Sequence, residues 1–334
     1  MTSKGVALVT GAGKFSTTNP CRGIGRAVAL QLAEDGFDVA VNDLGTMSEE
    51  LDTLVEEIQK KGRKSSSHIA DISQEAPVKN MIEMVVQKHG SLDVMVANAG
   101  TGLDRPLGLE FIQLSVEDWD KTMAINARGT FLCYKYAGIQ MIKQGRGGRI
   151  IGASSVLGKQ AHRGSTTPSV VVAPQVAAYG ASKFAVRGLT QAVGMIDHFL
   201  QEKKSTNNSK ALEFAKYGIT VNAYAPGAID TLLCKYLTNS SSRVPIQRLN
   251  AVTGTDPAIG DAIRNHASSQ SYLYIGITPL KTIGLPQDVA NVVSFLVSEK
   301  SQFITGQAVG SFISLLTTLI LLEQISVNGG LFFD

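Results

Sequence analysis

Short runs of β-branched residues alternate with stretches of helical periodicity along most of the chain, and this alternation narrows the fold more than any other feature. Residues 6–10, 38–42, 66–69, 94–97, 149–153 and 219–225 read as strands. Residues 25–34, 49–61, 76–88, 116–124, 129–144, 179–193 and 288–298 read as helices; in the second of these, Leu51, Leu54, Val55 and Ile58 fall on one face. Parallel strands cannot be joined by tight turns, so strand–helix repeats imply a parallel sheet with helices on both faces and ligands at the carboxyl ends of the strands. The expected fold is therefore α/β, a doubly wound parallel sheet of Rossmann type. No internal repeat or second core is visible, so residues 1–334 read as a single domain.

Composition excludes several classes of function. Net charge is +3 with acids and bases interspersed, which argues against nucleic acid or an anionic membrane surface as partner. Residues 312–322 are strongly apolar but fall short of the roughly 20 residues that span a bilayer. The amino terminus runs into a strand pattern without the layout of a signal peptide. Cys21, Cys133 and Cys234 are odd in number and form no CxxC pair, consistent with a reduced, cytoplasmic protein. His68, His89, His162, His198 and His266 lack metal-ligand spacing, so no metal site is expected and surface positions are assigned to them. Ser115, ahead of Glu117 and Asp118, reads as a helix cap.

The first strand ends in Thr10-Gly11-Ala12-Gly13, and a helix opens at Arg22-Gly23-Ile24-Gly25. Glycines there let backbone turn tightly and approach a pyrophosphate, whose charge favours a helix amino terminus, although a glycine cluster alone also suits a plain turn. Asp43, ending the second strand, stands where an acid would accept hydrogen bonds from the adenosine ribose and repel a 2′-phosphate. That favours NAD(H) over NADP(H); the other reading of Asp43 is a turn aspartate. Asp71 after the third strand is a candidate for the adenine edge, and Asn98-Ala99-Gly100 after the fourth brings backbone toward the cofactor.

Tyr179 and Lys183 lie four residues apart, on one helix face. A neighbouring ammonium favours the phenolate and moves a tyrosine from its usual value near 10 toward the range useful for acid–base chemistry. Ser154-Ser155 closes the strand before this helix, and Pro226-Gly227-Ala228-Ile229-Asp230-Thr231 follows the strand after it.

Together, Thr10-Gly11…Gly23-Ile24-Gly25, Asn98-Ala99-Gly100, Asn126, Ser155, Tyr179/Lys183 and Pro226-Gly227…Thr231 resemble the ordered motif set of short-chain dehydrogenases/reductases over nearly the whole chain. Residues 150–155, 184–190 and the ending Gly329-Gly330-Leu331-Phe332-Phe333-Asp334 are most similar to acetoin (diacetyl) reductases and butanediol dehydrogenases. The resemblance implies Tyr179 as general acid/base, Lys183 lowering its pKa and holding the nicotinamide ribose, and Ser155 rather than Ser154 bonding the substrate carbonyl. It also implies that Asn126 kinks its helix and anchors a relay water, and that Thr231 grips the carboxamide. Cofactor contacts are expected at Gly11, Gly23, Ile24, Gly25, Asp43, Asp71, Asn98, Ala99, Gly100, Tyr179, Lys183, Pro226, Gly227, Ile229 and Thr231. The implied function interconverts a small ketone and a secondary alcohol, with acetoin or diacetyl foremost and a sugar-alcohol or 3-oxoacyl reductase as the alternative. The implied assembly is a homodimer or homotetramer.

Four interruptions depart from the family pattern. Residues 14–21 divide the glycine loop, which otherwise reads TGAGRGIG. Ser155 and Tyr179 stand twenty-four positions apart and Tyr179 and Pro226 forty-seven, both wider than the family's spacing, with the excess at 164–174 and 195–211. Residues near 309–324 split a continuous ITGQA-ISVNGG strand and turn, and a smaller excess lies between Asn98 and Asn126. Removing 195–211 or 309–324 loses no motif residue, so these two read as translated introns. A third kind of function follows from that reading: an inactive nucleotide-binding product of incomplete splicing.

Overall fold

The computed structural model describes residues 2–13, 23–102, 111–159, 177–194, 214–227, 229–231 and 284–311. Among the described residues, seven strands form one sheet: β1 (Val6–Thr10), β2 (Asp38–Asp43), β3 (Ser65–Ile69), β4 (Val94–Ala97), β5 (Gly148–Ala153), β6 (Ile219–Pro226) and β7 (Ala308–Ser311). Their order is β3-β2-β1-β4-β5-β6-β7, and every pairing is parallel. The chain winds outward from β1 to one edge, then returns to β4 on the other side of β1. That reversal opens a crevice at the carboxyl ends of β1 and β4, where a sheet of this type takes its ligand.

Among the described residues, seven helices cover the sheet: α1 (Ile24–Glu34), α2 (Ser48–Lys60), α3 (Glu75–His89), α4 (Val116–Met123), α5 (Gly129–Gln144), α6 (Ala177–Gly194) and α7 (Pro286–Val297). Central strands have buried side chains on both faces, and this accounts for their nearly continuous apolar runs. On one face, Val28 and Leu32 of α1, Leu51, Leu54 and Ile58 of α2 and Val293 and Leu296 of α7 form one core with Val9, Val41 and Val96. On the other, Met81 and Val85 of α3 and Leu132, Ala137 and Met141 of α5 pack on Leu8, Met95 and Ile150. No described helix is long and apolar enough to cross a membrane.

Three expectations are revised here. Helix α4 stops at Met123, one residue before its expected end, and a π-helical turn, Ala124–Arg128, joins it to α5. The strand expected to break at Val309 instead runs on through Val309, Gly310 and Ser311, which pair with Tyr224, Ala225 and Pro226. The buried Val309 side chain supplies what that position of the sheet demands, whichever segment carries it. The interruptions at 14–21, 164–174 and 195–211, the rest of 309–324 and the apolar run 312–322 lie outside the described residues, as do Cys21, Cys234, His162, His198 and His266.

The third revision concerns histidine. His68 was assigned to the surface, yet it is buried, and His89 is half-buried. Alternation along β3 turns Ser66 and His68 to the same inner face. The Ser66 hydroxyl lies 2.8 Å from His68 Nε2 and 2.7 Å from His89 Nε2. Burial, reinforced by the charges of His89 and Lys88, pushes the His68 imidazole down to about 4 from its ordinary 6.5. The unfolded chain therefore takes up this proton first as pH falls, and the contribution present above pH 6.5 is lost on the way down to about 4. Allowing for solvent screening, the loss attributable to His68 is about 2 kcal/mol. Urea unfolding at both ends of that window should show a smaller acid loss in His68→Asn than in the parent chain. Equal losses would remove His68 as the cause.

Candidate active site

The glycine turn, the amino terminus of α1 and the segment after β4 form one tightly interlocked unit. Gly11 adopts φ +67°, and a Cβ there would stand 2.7 Å from Ala99 Cα. A Cβ on Gly25 would stand 2.5 Å from both Asn98 Nδ2 and Gly11 O. Thr10 Oγ1 accepts the backbone N–H groups of Asn98 (3.1 Å) and Ala99 (3.0 Å), while Asn98 Nδ2 donates to Thr10 O (2.8 Å) and Gly11 O (3.2 Å). Gly23 and Ile24 begin α1 directly beside this unit, with Gly23 at its N-cap. The buried Asp43 carboxylate accepts Gly13 N–H at 3.0 Å and Leu44 N–H at 2.9 Å. Asp71 is exposed at the end of β3, held in a turn by the N–H and hydroxyl of Ser73. Side-chain-free backbone beside a helix amino terminus, with a fixed acid at the end of β2, fits the pyrophosphate and ribose of a dinucleotide.

Across the crevice, α6 carries Tyr179 and Lys183. Lys183 is 5% exposed; its Nζ donates to Ala153 O at 2.8 Å and lies 5.5 Å from the centre of the Tyr179 ring. Burial brings the ammonium down to about 8. The two serines ending β5 diverge. Ser155 caps a short 3-10 turn through Leu157 N–H (3.2 Å) and hydrogen-bonds the Tyr179 hydroxyl, whereas Ser154 Oγ turns back to Lys183 O at 3.0 Å. Desolvation raises the Tyr179 phenol above its usual value, and the Ser155 hydrogen bond opposes it. The expected balance, with Lys183 as the acidifying neighbour, is thus not the one observed, because the ammonium is directed at a backbone carbonyl.

Asn126, fully buried in the π-turn, spends its whole amide locally. Oδ1 accepts Thr101 N–H (2.8 Å), and Nδ2 donates to Thr101 O (2.9 Å) and Ser182 Oγ (3.0 Å). Its carbonyl accepts the Thr130 hydroxyl at 2.7 Å. The expected helix distortion is present, since the π-turn turns Asn126 toward α6. Gly100 fits between the two machineries: a Cβ there would stand 3.1 Å from Asn126 Oδ1 and 3.3 Å from Lys183 Nζ.

A family model described as short chain dehydrogenase matches residues 5–196. The chain belongs to the short-chain dehydrogenase/reductase family. It is 40% identical over 329 residues to a short-chain dehydrogenase/reductase of Armillaria gallica, covering 98% of this chain and 96% of that protein. It is 36% identical over 303 residues to the 3-oxoacyl-[acyl-carrier-protein] reductase FabG of Staphylococcus aureus, covering 91% and 94%. Among solved structures it is similar to acetoin dehydrogenase YohF of Salmonella typhimurium, with a TM-score of 0.63, 27% identity and 93% and 94% of the two chains covered. Membership makes it an NAD(P)-dependent oxidoreductase.

In this short-chain dehydrogenase/reductase, Ser155, Tyr179, Lys183, Asn126 and Gly100 converge at the carboxyl ends of β4 and β5. The 226–231 motif follows β6, the strand next to β5, and there Ile229 bridges Gly284 and Thr231 Oγ1 donates to Ile229 O at 3.3 Å. Pro226 ends β6, and Gly227 follows it. Sequence reading missed two polar contributors. Ser182, on α6, joins that helix to Asn126 and donates to Tyr179 O at 2.7 Å. Tyr224 is a buried phenol inside β6. Both stand at inward positions of regular elements, where a polar side chain is a signal in itself.

Proposed function

We propose that this chain is an NAD(H)-linked reductase/dehydrogenase of small ketones and secondary alcohols, with diacetyl and acetoin as its substrates. The observation that carries the reading is Ser155 meeting Tyr179 one helical turn from the buried Lys183 ammonium. A bound nicotinamide supplies or accepts the hydride. During ketone reduction the Tyr179 hydroxyl donates its proton to the substrate oxygen while Ser155 hydrogen-bonds the same oxygen. Burial favours the protonated phenol, the form a general acid needs. Lys183 stays charged below about pH 8 and stabilises the phenolate left behind. In the reverse direction the same phenolate takes the alcohol proton. Asn126 holds residue 101 against α6 rather than anchoring a relay water, since its amide is committed to Thr101 and Ser182, and Thr231 orients the carboxamide. Asp43 accepts from the ribose hydroxyls and disfavours a 2′-phosphate, hence NAD(H). The acetoin assignment is supported by the motifs at 150–155, 184–190 and 329–334 and by the likeness to acetoin dehydrogenase YohF. A homodimer or homotetramer, located in the cytoplasm, completes the reading.

The likeness to FabG favours a second reading, a 3-oxoacyl thioester reductase. Purified protein assayed with diacetyl, acetoin, a ketose and acetoacetyl thioester, each with NADH and NADPH, separates the two. The expected result is fastest turnover with diacetyl or acetoin and a KM for NADH at least about tenfold below that for NADPH, the size of one lost charge-assisted contact. Preference for the thioester overturns the substrate assignment. NADH binding seen only after removal of 14–21, 164–174, 195–211 and 309–324 would instead make this chain the inactive product of incomplete splicing.

A further inference from the structure

We infer that Tyr224 is a positioning residue for the dinucleotide: its hydroxyl sets the orientation of the Asn98 amide, which in turn holds the carbonyls of the glycine turn. The inference rests on the reading that this chain binds NAD(H) in the crevice between β1 and β4.

Tyr224 is 2% exposed and pairs in register with Ala153 of β5, so the two side chains share a face of the sheet. Its ring reaches across β5 to Asn98, one residue past the end of β4. The single methyl of Ala153 leaves that path open. Tyr224 Oη donates to Asn98 Oδ1 at 2.6 Å, joining residues 126 positions apart. An amide oxygen can only accept, so the phenol must donate, and burial holds it protonated.

The amide Nδ2 is thereby committed to Thr10 O and Gly11 O. Were the amide flipped, its oxygen would face two carbonyl oxygens and its NH2 would face the phenol, leaving three acceptors without donors. The amide packs so closely against α1 that a Cβ added to Gly25 would stand 2.5 Å from Nδ2. Tyr224 thus decides which way the carboxamide that holds the glycine turn points. Tyr224 also lies close enough to Tyr179 for a charge on one to act on the other. A role in proton transfer is therefore the rival explanation, and the experiment must separate the two.

The test is Tyr224→Phe in the full chain, with NADH dissociation measured by fluorescence titration and steady-state rates measured across pH. Leaving Asn98 Oδ1 without its donor should raise both the Kd and the KM for NADH about tenfold. At saturating NADH, kcat should stay within about twofold, and the pH profile should not move. Asn98→Ala should weaken NADH binding too, and the double variant should be no weaker than Asn98→Ala alone, since Tyr224 acts through that amide. Wild-type binding with unchanged affinity in Tyr224→Phe would overturn the inference. A fall in kcat with a shifted pH profile and unchanged Kd would also overturn it and put the phenol in the proton path. Full additivity in the double variant would show that Tyr224 does not act through Asn98. Absence of NADH binding by the wild-type chain would overturn the underlying reading, and the inference with it.

Discussion

Tyr179→Phe should lower kcat by about a thousandfold while NADH affinity and melting temperature stay close to those of the parent chain. The size follows from removing the group that transfers the proton, a contribution of roughly 10²–10⁴ in rate. The selectivity follows from the surroundings. The substitution keeps the ring and deletes one hydroxyl, whose partner is Ser155. Ser155 keeps its bond to Leu157 N–H, and Lys183 keeps its bond to Ala153 O, so neither is stranded in the interior. Steady-state kinetics with diacetyl, NADH fluorescence titration and thermal unfolding, all on one preparation, provide the check. A loss in kcat below about tenfold would mean that the proton comes from elsewhere.

Gly25→Val should abolish measurable dinucleotide binding, a loss of at least about a hundredfold in affinity, for a reason unrelated to chemistry at Tyr179. The new Cβ would stand 2.5 Å from Asn98 Nδ2 and from Gly11 O, and 3.0 Å from Gly11 C. Two of these three atoms are backbone, and the third is an amide held by three hydrogen bonds, so no flexible side chain can give way. The glycine turn must shift away from α1, parting the backbone that would receive a pyrophosphate from the helix amino terminus. Overpacking of this kind also costs about 1–3 kcal/mol of stability. Titration with NADH, alongside circular dichroism to verify that the sheet persists, tests this. Retained affinity in a folded variant would show that the loop does not hold the cofactor.

Legibility in the sequence depended on how local the cause was. The strand and helix runs from β1 to α6 could be read because each is carried by its own periodicity, and their ends moved by only one or two residues in the structure. The distortion at Asn126 was readable only through family resemblance, because a π-turn has no signature in apolar spacing. The choice of Ser155 over Ser154 came from resemblance too, and the contacts give its cause: both serines meet α6, but Ser154 Oγ is committed to Lys183 O while Ser155 meets the Tyr179 hydroxyl. His68 was misplaced because a histidine in a run of serines looks solvated, and only the covering helix α3 turns that face inward.

The ordering of motifs along the chain, glycine loop, Asn98-Ala99-Gly100, Ser155, Tyr179 and Lys183, was sufficient by itself to specify a parallel α/β sheet and the family's chemistry, because the first three follow the ends of strands, the alternation decides which end, and the last two share one face of the next helix. Which groups control one another was decided only by tertiary packing. Lys183 is tied to Ala153, Ser155 to Tyr179, Asn126 to Ser182 and Tyr224 to Asn98 through contacts between segments up to 126 residues apart. Hydrogen bonds over that range depend on strand order and on which residues are small enough to be crossed, and neither is encoded in any local stretch of chain.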